Sequence, residues 1–183
     1  LPVDAIHIDL CRGSGRANTT ANDPNKDIEQ AISLAGDKAL SLGLIDGRNI
    51  WKNDLSDSFA KIEKAIAALG SDKVFVSSSC SLLHSPVDLN SEEKLDSELK
   101  GWMAYATQKL DEIAILAKGA NEGKPAIASE IEASDAAQSS RKSSTRIHNA
   151  TVEQRVKAIT PDMKERKSAF AARQKIQHAA LNL

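Results

Sequence analysis

The stretch that decides the fold is Leu40-Ser-Leu-Gly-Leu-Ile45 together with the polar segment after it, Asp46-Gly-Arg-Asn-Ile-Trp-Lys-Asn-Asp54. The first six residues read as a buried strand. At Asp46 the character changes: an acid, a glycine, an arginine, an asparagine and a tryptophan arrive within six positions. A rigid strand end that opens into a polar loop is how α/β proteins present chemistry, because the scaffold holds the groups that the loop carries. A structural reading of the same residues is an Asp46–Arg48 ion pair with Trp51 packed as ordinary core.

Working outward, Ala5-Ile-His-Ile-Asp-Leu10 is the first strand. His7 and Asp9 lie two apart and share a face, opposite Ile6 and Ile8. The polar run from Cys11 to Lys26 reads as a surface loop, and its Gly13-Ser-Gly-Arg16 is too short to count as a phosphate-binding fingerprint. Asp27 to Ala35 is a short helix ended by Gly36. The second strand is Ala39 to Ile45. Ser56 to Leu69 is a helix with Phe59, Ile62, Ile66 and Leu69 on one stripe, stopped by Gly70.

The third strand, Lys73 to Ser77, runs into Ser77-Ser-Ser-Cys-Ser-Leu-Leu-His-Ser-Pro86. Cys80 and His84 are four apart and could share a metal on a helical turn, but two ligands fall short of a closed zinc site. Ser81 or Cys80 with His84 suggests a nucleophile and base, yet the Gly-x-Ser-x-Gly elbow is missing. The small residues are equally explained by a chain segment packed closely over the strand end. Ser91 to Lys118 is expected to be the longest helix, with Leu95, Leu99, Trp102, Ala106, Leu110, Ile113 and Ala117 as its stripe and Gly119 as its stop.

Strand, helix, strand, helix, strand, helix implies parallel strands with right-handed crossovers. Three such strands leave both sheet edges bare, so the pattern is expected to continue in a larger β/α barrel. After Gly119 the composition shifts. Ala126 to Ala137 reads as a weak helix, Ser139 to Thr145 as a flexible polar run, and Thr151 to Ile159 as a short helix. A last helix is expected from Thr160-Pro161 to about Asn182.

Bulk properties exclude several classes. No apolar run approaches the roughly 20 residues that cross a bilayer, so no membrane partner is expected. Two cysteines far apart argue against a disulfide scaffold and for a reducing compartment. Leu1-Pro-Val-Asp4 lacks a secretory pattern, which makes a cytoplasmic location the expectation and the triplets at Asn18 and Asn149 chance matches to a glycosylation site. Residues 139–183 carry ten Lys and Arg against three Asp and Glu. Phe170 is their one aromatic residue, a poor stacking platform for bases, so no nucleic-acid partner is expected. This tail leaves open an alternative to an enzyme: a non-enzymatic interaction module with a basic helical arm.

Three stretches carry a resemblance: Asp46-Gly-Arg-Asn-Ile-Trp51, Ser78-Ser-Cys-Ser-Leu-Leu-His-Ser-Pro86 and Ser144-Thr-Arg-Ile-His148. In this order and with these gaps they resemble the amino-terminal barrel of the cobalamin-independent methionine synthase family. Leu1 to Asp4 with His7-Ile-Asp9 is similar to its sixth-strand region. The resemblance implies that 1–118 are the last three βα units of a TIM-type (β/α)8 barrel. It implies that 119–183 are a helical interdomain linker leading to a catalytic barrel that this sequence does not include. It further implies a monomeric methyltransferase that moves a methyl group from 5-methyltetrahydropteroyl-polyglutamate to homocysteine, giving methionine. In that family a zinc ion in the carboxyl-terminal barrel holds the homocysteine sulfur, through a His-x-Cys pair, a Glu and a further Cys. No His-x-Cys pair occurs here, so no catalytic or metal residue is carried over. The candidates for a cleft or interbarrel surface are Asp46, Arg48, Asn49, Trp51, Ser79, Ser81 and His84. The implied partners are the rest of the same enzyme, with folate and homocysteine as substrates.

Overall fold

The computed structural model describes residues 2–11 and 24–182, with side chains of 24–26 left aside. The Gly13 to Arg16 stretch and the Asn18 triplet lie outside the described residues. The chain divides into two compact units, 1–143 and 144–183.

The first unit is built on a parallel sheet in the order β1 (Ala5–Asp9), β2 (Ala39–Ile45), β3 (Val74–Ser78). Ala5 pairs with Ala39 and Leu40 with Val74, so His7, Ser41 and Phe75 fall in one row across the sheet. Leu40, Leu42 and Leu44 of β2 are buried against α1 (Pro24–Ala35) and α2 (Leu55–Leu69), which contribute Ile28, Ala31, Phe59 and Ile62. Alternation along β2 thus sends leucines to the helices and leaves Ser41 and Gly43 for the opposite face. On that face Phe75 is 54% exposed, and among the described residues β1 and β3 each pair only with β2. Parallel sheets ordinarily have both faces covered.

Turn chemistry explains the boundaries. Asp54 caps α2 by accepting from Asp57 N at 3.0 Å. Gly70 ends it with a positive φ of 88°, a conformation that disfavours side chains. Lys61 of α2 is buried beside Asp57, its ion-pair partner one turn earlier.

The expected long helix from Ser91 to Lys118 is not one helix. A 3₁₀ turn at Leu89–Ser91 and a short α3 (Ser97–Gly101, capped by Asp96) precede an extended segment. There Lys52 N donates to Trp102 O at 2.9 Å and Ala104 N to Ile50 O at 2.9 Å, around an antiparallel Trp51–Met103 bridge. Non-local pairing with the loop after β2 overrides the helical periodicity. Only then does α4 (Ala106–Glu122) begin. Its buried face is Lys109, Glu112, Leu116 and Gly119, while Leu110 is 57% exposed. Trp102 is core, 3% exposed. Gly119 does not end α4. It lies within the helix because a Cβ there would meet Ile127 Cδ1 at 2.5 Å and Phe59 Cε2 at 2.7 Å. Gly123, at φ 90°, follows the last turn.

A 3₁₀ turn (Lys124–Ile127) leads into α5 (Ala128–Ser143). This helix absorbs most of the polar run expected to be flexible from Ser139.

The second unit holds α6 (Ala150–Lys157), α7 (Pro161–Lys164) and α8 (Phe170–Leu181). Asn149 caps α6 by accepting from Val152 N at 3.2 Å. The single helix expected from Thr160 to Asn182 is broken between Glu165 and Ala169. No helix among the described residues is long and apolar enough to cross a membrane.

Candidate functional site

The carboxyl ends of the three strands bring their polar groups together. Arg48 does not pair with Asp46 through its side chain, as the structural reading of the motif expects. Its Nη1 donates to Asp9 Oδ2 at 3.0 Å, joining the end of β1 to the loop after β2. That hydrogen bond raises the guanidinium pKa above its ordinary value. Asp46 accepts instead from the Arg48 backbone N at 2.8 Å and from Asn49 Nδ2 at 2.9 Å. This is an Asx-type turn, in which a short carboxylate organises its own loop. His7 lies one row back, with Nδ1 3.0 Å from Ser41 Oγ and Nε2 3.4 Å from the Ser79 carbonyl oxygen.

The hydroxyl cluster after β3 mostly serves close packing. A Cβ on Gly47 would lie 2.9 Å from both the Cys80 carbonyl oxygen and Sγ, so the two loops touch through backbone. Ser79 is buried, and its Oγ accepts from Gly47 N at 3.3 Å. Ser85 Oγ donates to Asn49 O at 3.1 Å. Ser81 Oγ caps Leu83 N at 3.3 Å, and the Cys80 thiol points to Ser81 O at 3.5 Å. Neither engages the ring of His84, which is exposed on a 3₁₀ turn. The arrangement therefore lacks the nucleophile–base hydrogen bond of a hydrolase.

Trp51 is gripped from two sides. Its ring lies 3.9 Å from the guanidinium carbon of Arg141 on α5, a cation–π contact. Its carbonyl accepts from Lys109 Nζ at 3.1 Å. The rest of the loop is held in the same manner. Asn53 N donates to Glu112 Oε1 at 2.9 Å, Ser134 Oγ donates to Asn53 O at 2.9 Å, and Gln138 Nε2 donates to Lys52 O at 3.0 Å. Side chains from α4 and α5 thus satisfy backbone groups that a strand-to-helix loop ordinarily leaves to water.

Lys109, Glu112, Ser134, Gln138 and Arg141 are absent from the set chosen from sequence. The available signal was a second helical face: Lys109, Glu112, Leu116 and Gly119 recur at three and four, but two charges argue against burial. Burial raises the Glu112 pKa, opposed by the Asn53 hydrogen bond and by Lys109. It lowers that of Lys109, opposed by Glu112 and Asp46. Glu112 Oε2 is buried without a hydrogen-bond partner.

A cleft of about 430 Å³ opens beside the strand ends, lined among others by Cys11, Asp46, Asn49, Asp57 and Lys61. The Cys11 thiol is pushed up to about 12 by burial and by the charges of Asp46 and Asp9. Zinc, the metal that the sequence resemblance implies, does not fit these groups: among the described residues no three His, Cys, Asp or Glu side chains are placed to hold a metal ion.

Residues 1–70 match the family described as cobalamin-independent synthase, N-terminal domain. Over the whole chain the sequence is 41% identical to the 5-methyltetrahydropteroyltriglutamate–homocysteine methyltransferase of Caulobacter vibrioides. It is 43% identical to that of Acidithiobacillus ferrooxidans and 42% to that of Coxiella burnetii. Each match takes in 100% of this chain and 22% of the relative. The chain spans less than a quarter of the length of the curated relatives it matches, and along its whole length it is similar to a segment of cobalamin-independent methionine synthases.

Proposed function

We propose that this chain is the folate-side scaffold of a methyltransferase that moves a methyl group from 5-methyltetrahydropteroyl-polyglutamate to homocysteine. The observation that carries the reading is the match along the entire chain to enzymes named for this reaction, with 22% of each enzyme's length covered. The open sheet supports it. Residues 1–118 supply the last three βα units of a (β/α)8 barrel, whose remaining strands pair with β1 and β3 and cover the row His7, Ser41, Phe75. Residues 119–183 lead on to a second, catalytic barrel. The intact enzyme is cytoplasmic and monomeric, and its zinc belongs to that second barrel. This segment's own contribution is positional.

In this reading Asp46, Arg48, Asn49, Trp51, Ser79, Ser81 and His84 form the rim that faces the folate cleft or the second barrel. Three of them, Arg48, Ser81 and His84, are exposed, and the guanidinium and the imidazole are the natural probes. Arg48→Ala and His84→Ala in the intact enzyme are expected to slow methyl transfer from the polyglutamyl donor. Wild-type activity and stability in both variants would remove the rim assignment.

A further inference from the structure

Among the described residues the largest fully buried side chain belongs to a cation. Lys109 is 1% exposed, and its ammonium donates to Asn49 Oδ1 at 3.2 Å and to Trp51 O at 3.1 Å. A buried ammonium needs compensation, yet no carboxylate lies within ion-pair distance of it among the described residues. Glu112, one turn further on α4, spends Oε1 on Asn53 N. The other compensating charge is one side chain away. Asn49 receives the ammonium at Oδ1 and gives Nδ2 to Asp46 Oδ2 at 2.9 Å. Oδ1 also accepts from Trp51 N at 3.0 Å, so two donors fix the amide, and its Nδ2 must face Asp46. Both donors to Asp46, Asn49 Nδ2 and Arg48 N, are uncharged, because the Arg48 guanidinium is turned to Asp9.

We infer that Lys109 is a positioning residue of the strand-end site, acting through the Asn49 amide to orient and balance the Asp46 carboxylate. It touches no substrate. Its charge keeps the strand end near neutrality: Asp9 is answered by Arg48, and Asp46 by Lys109. The inference rests on the strand end facing the folate. A polyglutamyl donor is a polyanion, and an unbalanced Asp46 repels it. Such a change weakens binding without touching the chemical step.

The test is a double-mutant cycle in the full-length enzyme, combining Lys109→Met with Asp46→Asn. In the wild-type background Lys109→Met is expected to raise KM for the polyglutamyl donor about tenfold, with kcat changed less than about twofold. In the Asp46→Asn background the same replacement is expected to move KM less than about twofold. An equal KM factor in both backgrounds, or a loss confined to kcat, overturns the inference. Where Lys109→Met does not fold, Lys109→Gln runs the same cycle, since it keeps a donor and removes the charge. Thermal unfolding of the four proteins reads the coupling without substrate. If the wild-type enzyme transfers no methyl group, the functional reading falls. The inference then still stands or falls on whether Asp46→Asn shrinks the drop in Tm caused by the Lys109 change.

Discussion

Gly43, in the middle of β2, is the most exposed to a one-carbon test. A Cβ there would sit 2.8 Å from the Ile8 carbonyl oxygen, 2.9 Å from Ser79 Cα and 3.1 Å from His7 Cε1. Ordinary carbon–carbon contacts lie at about 3.5–4.0 Å, so both backbone neighbours must retreat by over half an ångström. They belong to β1 and to the turn after β3, and no rotamer change relieves them. Overpacking costs about 1–3 kcal/mol, with backbone clashes at the upper end. Alanine recovers about 0.5–1 kcal/mol of the strand penalty of glycine. The net expectation for Gly43→Ala is a loss of about 2 kcal/mol. With a urea m-value of about 2 kcal/mol/M, the midpoint falls by about 1 M. Gly101→Ala is the control, because nothing lies within 4 Å of a Cβ there; it should stay within about 0.5 kcal/mol of wild type. Urea unfolding followed by tryptophan fluorescence measures both. A Gly43→Ala protein as stable as Gly101→Ala would refute the close approach of the three strands.

Three other outcomes are expected. Gly119→Ala should destabilise despite alanine's better helix propensity, by about 1 kcal/mol net, because its Cβ meets buried Ile127 and Phe59; urea titration checks it. Glu112 takes up its proton more readily folded than unfolded, chiefly through burial. Stability contributed by the protonated acid is therefore present below the ordinary carboxyl range and lost as pH rises through the raised pKa. Glu112→Gln should flatten that decline in Tm measured across pH. Cys11, pushed up to about 12, should resist a maleimide at pH 8 in the native protein and react once unfolded, as peptide mapping of the labelled protein would show.

Elements whose signals are local were legible in the sequence. The bounds of β2 were read to the residue, and β1, β3 and α2 to within one residue. The apolar run of β2 ends at Asp46 and that of α2 at Gly70. The region from Ser91 to Tyr105 was not legible, because its conformation depends on Ile50 and Lys52, some fifty residues upstream. The apolar stripe drawn through Leu110 failed for a related reason: burial of Lys109 and Glu112 depends on partners in the loop at 49–53. At the site, the strand-end cluster was visible from Asp46 to Trp51. The partner of Arg48 was not, since Asp9 reaches it only through the parallel register of β1 on β2. The serines after β3 were legible as a packing signal, and the Gly47–Cys80 contact supplies the reason.

Strand-end loops of α/β proteins are often treated as cassettes to be exchanged for others of the same length. The one at 49–54 is not such a cassette. Its main-chain groups are anchored by side chains that arrive 58 to 86 residues later, from Lys109 to Gln138. An engineer who transplants it without α4 and α5 carries over the letters but not the shape, and a substitution at Ser134 or Gln138 edits the loop from a distance.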